Sequence, residues 1–171
     1  MKIFLLGFMG SGKSYWGRQL AAELQLPLYD LDAMIVKAEQ RSITEIFAAE
    51  GEDFFRRRER DMLRETAAAP AFVLSCGGGA PCFFDNMSFM NVVGLTIWLN
   101  PPVPVMTNRL RRNREKRPLV RDLDDAALEA YVTQKLEERR VFYEQARLII
   151  DPVPHNVATF AEKIRQCTEH T

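Results

Sequence analysis

Apolar and polar positions change rhythm several times along this chain. "KIFLL", Lys2 to Leu6, is a continuous apolar run halted by Gly7, the pattern of a strand buried on both faces. Trp16, Leu20, Ala21 and Leu24 then recur at helical spacing, which predicts a helix over Lys13–Leu24 that stops before Pro27. "LPLYDLD" reads as a second short strand ending in carboxylates, with Asp32 as the cap of a helix over Ala33–Gln40. "SITE", Ser42 to Glu45, is a capping-box signature, and the helix it opens should reach about Ala68 with an interruption at Gly51. "FVLSCGGG" predicts a third strand running into three glycines, "VVGLTIWL" a fourth, and "RLII" a short fifth. Further helices are expected over Val103–Arg112, Ala126–Ala146 and Val157–Cys167. Residues 112–125 lack helical periodicity and carry Pro118, so they read as a mobile surface excursion.

Alternating strands and helices imply an α/β protein, a three-layer α/β/α arrangement around a five-stranded parallel sheet. At 171 residues, without repeat or linker, the chain is expected to form one domain over 1–171.

Composition narrows the function classes. The formal net charge is zero, which argues against a dedicated nucleic-acid binder. Apolar content of 47% and charged content of 27% fit an ordinary globular domain. The apolar run at the start is too short to cross a membrane and leads directly into a glycine loop. Cys76, Cys82 and Cys167 are odd in number and lack CxxC spacing, so neither a disulfide framework nor a zinc site is expected. His155 and His170 have no metal-like spacing either. These features describe a cytoplasmic protein without nucleic-acid or membrane partners.

The strongest chemical signal is "GFMGSGKS", Gly7 to Ser14, between a predicted strand and a predicted helix. Glycines let backbone N–H groups converge on a phosphate, and the following helix directs its positive end to the same anion. Gly10, Ser11, Gly12, Lys13, Ser14 and Tyr15 are therefore candidate ATP-binding residues. Lys13 is placed toward the β and γ phosphates, and the Ser14 hydroxyl suits Mg²⁺.

Asp30 and Asp32 follow at the end of the second strand. One acid can support the metal's water shell while the other orients an acceptor hydroxyl or takes its proton. The plainer alternative makes Asp32 a helix cap and Asp30 a turn residue. The run "GEDFFRRRERD" reads by itself as a solvated helical face, and "SCGGGAP" as a loop that admits close approach of a ligand.

Six ordered motifs, "GFMGSGKS", "DLD", "FRRRE", "GGG", "RPL" and "ERRVFY", give the chain a resemblance to the shikimate kinases over nearly its whole length. That resemblance implies a phosphate-loop kinase fold with a mobile lid at about 112–125 and a substrate-binding helical region at about 31–62. It implies transfer of phosphate from ATP to the 3-hydroxyl of shikimate with Mg²⁺, as a monomer, in aromatic amino-acid biosynthesis. Under it Arg56 and Arg139 bind the substrate carboxylate, Asp32 holds ring hydroxyls, and Gly77, Gly78 and Gly79 contact the substrate. Phe55 walls the ring, Glu59 steadies Arg56, and Asp30 lies beside the metal with Ser14 as its ligand. The third strand ends in Ser75, not in a separate metal-binding aspartate, which fits the Asp30 assignment.

Lid residue Arg117 would stabilise charge on the moving phosphoryl group, and Arg111 and Pro152 would flank adenine. Three departures stand out. Tyr15 replaces a small hydroxyl residue, and Val141 replaces a proline beside Arg139, whose neighbour Arg140 is the competing assignment. Leu110 occupies the position counted for the adenine arginine, between Arg109 and Arg111. Close enzyme rivals are gluconate and nucleoside monophosphate kinases; the rival from another class is a nucleotide-binding module without phosphotransfer.

Overall fold

A computed structural model describes residues 1–112, 119–151 and 156–169. Five strands, β1 (Lys2–Leu6), β2 (Leu28–Asp30), β3 (Phe72–Ser75), β4 (Leu95–Leu99) and β5 (Leu148–Ile150), form one parallel sheet in the order β2-β3-β1-β4-β5. The helices are α1 (Lys13–Leu24), α2 (Leu31–Glu39), α3 (Ile43–Ala67), α4 (Asn86–Val93), α5 (Val103–Arg112), α6 (Asp125–Tyr143) and α7 (Val157–Glu169). The expected α/β/α layering is what forms.

Alternation along β1 divides the core. Ile3 and Leu5 pack with Trp16, Leu20, Phe160 and Ile164 of α1 and α7. Phe4 and Leu6 pack on the other side with Leu31, Ile35, Leu63 and Met90 of α2, α3 and α4. A third cluster gathers Trp98 and Phe8 with Met106, Leu110, Leu128 and Tyr143, fixing α5 and α6 over the carboxyl end of the sheet.

The strand order also locates the site. From β1 the chain crosses toward β2 on one side, and from β3 it crosses toward β4 on the other. β1 and β3 are neighbours, with Leu5 opposite Ser75, so a crevice opens beyond their carboxyl ends. The phosphate loop leaves β1 at this point, and the three glycines leave β3.

Helix ends show where sequence patterns were sufficient. The Ser42–Glu45 capping box is complete, each side chain meeting the other's backbone N–H. Gly51 kinks α3 as expected, with φ 81° and ψ 176°. At α2 the cap is Asp30, not Asp32: Asp30 Oδ1 accepts from the Ala33 N–H at 3.1 Å, and Asp32 lies inside the first turn. Alternation along a strand therefore does not relate the two acids, because β2 ends between them.

The segment predicted as the start of the fourth strand, Val92 and Val93, closes α4, which the apolar pattern did not reveal. Gly94 makes the break. A Cβ there would lie 2.6 Å from the Lys2 carbonyl, so only glycine lets β4 enter beside β1.

Candidate active site

The phosphate loop is built from backbone conformations that favour glycine. Gly7, Gly10 and Gly12 have φ of 140°, 80° and 102°. A Cβ on Gly7 would fall 2.7 Å from both the Leu99 carbonyl and Ser11 Oγ. Lys13 Nζ donates to the Gly7 carbonyl at 2.6 Å and to the Phe8 carbonyl at 3.0 Å, so the ammonium is held across the loop. Ser11 faces inward instead. Its side chain is buried, and its N–H donates to Phe8 O at 3.1 Å.

The glycines after β3 form the opposite wall, and each accommodates a charged group. A Cβ at Gly77 would lie 2.6 Å from Glu59 Oε1 and 2.8 Å from Asp32 Oδ1, so two carboxylates meet that backbone. At Gly79 it would lie 2.6 to 2.8 Å from Nη1, Cζ and Nη2 of Arg56. At Gly78 it would lie 3.2 Å from Arg139 Nη1. The loop's path is pinned by Tyr143, whose hydroxyl donates to the Gly78 carbonyl at 2.6 Å.

α3 supplies Phe55, Arg56 and Glu59 to the cleft, with Glu59 four and three residues beyond the other two and so beside both along the helix. Arg56 Nη1 donates to Glu59 Oε2 at 2.9 Å, while Nε and Nη2 share Glu52 Oε1 at 3.1 and 3.0 Å. Arg139 comes from α6, its guanidinium 5.3 Å from the Phe8 ring centroid. Arg140 turns away and pairs with Glu137 and Glu144 on the surface. Of the other arginines in the charged run, Arg57 is exposed as a solvated face requires, whereas Arg58 reaches across to Glu39 of α2 at 2.6 Å and ties the two helices together.

Burial sets the electrostatics. Asp32 is held above its ordinary range by desolvation, with Asp30 adding to the effect and Lys13 and Arg56 opposing it. Desolvation pushes Glu59 up to about 7, against the attraction of Arg56, with Asp32 reinforcing the rise and Arg139 resisting it. One Glu59 oxygen, Oε1, is buried without a hydrogen-bond partner among the described residues. Burial also pushes the Cys76 thiol up, and Cys82 up to about 11, so neither is a ready nucleophile at neutral pH.

Glu59 therefore makes a stability prediction. The folded chain keeps a proton that the unfolded chain releases, so this contribution is full below pH 4.5 and lost as pH rises through about 7. The rise in pKa corresponds to about 3 kcal/mol at about 1.4 kcal/mol per unit. Urea unfolding of Glu59→Gln should thus gain on the parent by about this amount between acid and mildly alkaline pH. Parallel pH–stability curves for the two proteins would contradict it.

Lys13, Ser14, Tyr15, Asp32, Arg56, Glu59 and Arg139 all line one cleft of about 610 Å³. The family model for shikimate kinase matches residues 9–169. This chain belongs to the shikimate kinase family. It is 43% identical over 149 residues to the shikimate kinase of Bacteroides fragilis, covering 87% of this chain and 83% of that one. Among solved structures, the shikimate kinase of Bacteroides thetaiotaomicron superimposes with a TM-score of 0.91 at 38% identity, over 99% of this chain and 98% of its own. The Acinetobacter baumannii enzyme, solved in complex with shikimate, gives a TM-score of 0.86 at 33% identity, over 99% and 93%.

Against the family's pattern, the fold brings together Gly10, Gly12, Lys13, Ser14, Tyr15, Asp30, Asp32, Phe55, Arg56, Glu59, Gly77, Gly78, Gly79 and Arg139 at the cleft. Ser11 and Arg111 do not line it. Arg111 Nε pairs with Asp125 at 3.1 Å, whereas Arg109 lines the cleft and donates from Nη1 to the Gly10 carbonyl at 2.9 Å. Arg117 and Pro152 lie outside the described residues. From the expected lid, Leu119 reaches the cleft while Val120 is buried in the cluster of Met106, Leu110, Leu128 and Val132. Sequence reasoning did not single out Tyr143 as the holder of Gly78, nor Glu52 as a partner of Arg56. Tyr143's helical spacing from Arg139 was the available signal.

Proposed function

We propose that this chain transfers the γ-phosphoryl group of ATP to the 3-hydroxyl of shikimate, releasing ADP and shikimate 3-phosphate for aromatic amino-acid biosynthesis. One observation carries the reading: the phosphate loop and a pair of arginines suited to a carboxylate open into the same cleft, with Gly78 and Gly79 packed close to those arginines. Arg56 and Arg139 clamp the carboxylate through planar N–H forks. Asp32 holds the ring hydroxyls, orients the attacking one and accepts its proton, and Phe55 walls the ring. Lys13 and, on the family resemblance, Arg117 neutralise charge on the moving phosphoryl group.

Mg²⁺ fits this donor set. Ser14 and Asp30 supply hard oxygens at the loop, and no group of three or more His, Cys, Asp or Glu side chains suited to a metal occurs among the described residues. A cation bound mostly by phosphate and water needs few protein ligands. Bound there, it supplies positive charge to the β and γ phosphate oxygens. Asp30 already spends one oxygen on the Ala33 N–H, which fixes its carboxylate at the end of β2.

The protein acts as a single domain and a monomer in the cytoplasm, with ATP and shikimate as its partners. No helix among the described residues is long and apolar enough to cross a membrane. Adenine stacks on an arginine of α5; Arg109 has the better position than Arg111, since it faces the cleft.

The decisive assay is ADP release with shikimate, gluconate or nucleoside monophosphates as acceptor, with and without Mg²⁺. Shikimate- and Mg²⁺-dependent release is expected, and release indifferent to shikimate overturns the assignment. Arg139→Ala should raise the shikimate KM about 10- to 100-fold, as for a lost charged hydrogen bond, and leave the ATP KM nearly unchanged. Unaltered shikimate affinity would remove Arg139 from the clamp.

A further inference from the structure

The Arg56 guanidinium is held by more than its two carboxylates. The Phe83 ring centroid lies 4.3 Å from Arg56 Cζ, the nearest aromatic contact this group makes, with Phe55 farther away at 5.2 Å. Phe83 is partly buried and is not among the residues that line the cleft. Its contact with the site is to Arg56. It follows directly on the short 3₁₀ turn Ala80–Cys82, so one segment carries both Gly79, packed against the guanidinium, and the ring that faces it.

Resting on the reading above, we infer that Phe83 is a positioning residue for carboxylate recognition: it fixes the plane in which Arg56 presents its open N–H groups. A guanidinium has five N–H donors. Glu52 and Glu59 engage three of them, on Nε, Nη2 and Nη1. One donor on each Nη nitrogen remains for a ligand. Two such donors meet both oxygens of a carboxylate only when the fork lies in the carboxylate's plane. Hydrogen bonds at the edges hold the group's position, whereas an aromatic ring 4.3 Å from Cζ limits its tilting and adds cation–π attraction.

α3 repeats this contact farther from the cleft, which provides an internal control. Arg60 stands 4.9 Å over Phe84, and Arg64 stands 4.7 Å over Phe89. Neither pair reaches the site, and Phe84 is exposed. If the stacking served only to attach α3 to the following segment, Phe83 and Phe84 would be equivalent.

The test compares Phe83→Leu, Phe83→Met, Phe83→Tyr and Phe84→Leu with the parent by steady-state kinetics and thermal unfolding. Phe83→Leu should raise the shikimate KM about 3- to 30-fold, the range of a partly desolvated cation–π contact, with kcat and the ATP KM within about twofold. Phe83→Met, which keeps most of the volume without the ring, should show the same rise. Phe83→Tyr should restore the parent KM, and Phe84→Leu should leave it unchanged. The penalty should vanish for a shikimate analogue carrying a hydroxymethyl group in place of the carboxylate. An unchanged shikimate KM in both Phe83→Leu and Phe83→Met overturns the inference, as does an equal loss in kcat and ATP binding. It does so while leaving the functional reading intact, because the parent still turns shikimate over. A parent that releases no ADP with shikimate overturns both.

Discussion

Lys13→Met is expected to lower kcat by about 10²- to 10³-fold, the usual consequence of deleting one charged group aimed at transition-state charge. In the structure Nζ lies 2.6 Å from the Gly7 carbonyl and 3.0 Å from the Phe8 carbonyl. Those oxygens keep the ammonium at the loop, from which it can turn to a γ-phosphate. Methionine preserves the chain length and much of the apolar stem but none of the charge. The fold should tolerate this, because the two lost hydrogen bonds contribute about 1 kcal/mol each and the side chain is partly exposed. Turnover at saturating ATP and shikimate, read beside the thermal midpoint, separates the effects. A kcat within tenfold of the parent, in a folded variant, would mean that backbone N–H groups and the metal carry the phosphoryl charge without Lys13.

Legibility in the sequence followed how narrowly the chemistry restricts residue type. "GFMGSGKS" was readable because all three of its glycines occupy positive-φ backbone that other residues rarely adopt. The Ser42–Glu45 cap and the Gly51 kink were readable for the same local reason. α4 was not, since Met87, Phe89, Met90, Val92 and Val93 merge with the apolar run of β4 and only Gly94 separates them. Asp30 and Asp32 lie close enough in sequence that either could cap α2, and only the backbone decided between them. The neighbours Arg139 and Arg140 differ by about 100° around a helix, enough to put one in the cleft and the other on the surface. Arg109 and Arg111 are separated by twice that rotation, with the same result. Glu59 is the largest departure from appearance. It stands in a run that composition paints as solvated, yet its side chain is 1% exposed, with the Gly77 backbone that follows β3 packed against it.

Asp32→Asn should reduce kcat by about 10²- to 10⁴-fold, the range for a general base, with a smaller rise in the shikimate KM from weakened hydroxyl contacts. Asparagine keeps the shape beside Gly77 and one acceptor oxygen, so positioning survives better than proton acceptance. The pH profile separates the two contributions. In the parent, activity should fall as pH drops through the Asp32 pKa, which burial and Asp30 hold above 3.8. Glu59, raised to about 7, titrates nearby and acts on Arg56, so its influence should appear in the shikimate KM. The limb in kcat that disappears with Asp32→Asn belongs to Asp32, while the one in kcat/KM that survives belongs to the clamp. If Asp32→Asn retains both limbs and loses less than tenfold in kcat, orientation by the cleft is sufficient for transfer. The hydroxyl proton then leaves late, onto the transferred phosphate itself, as a loose transition state permits.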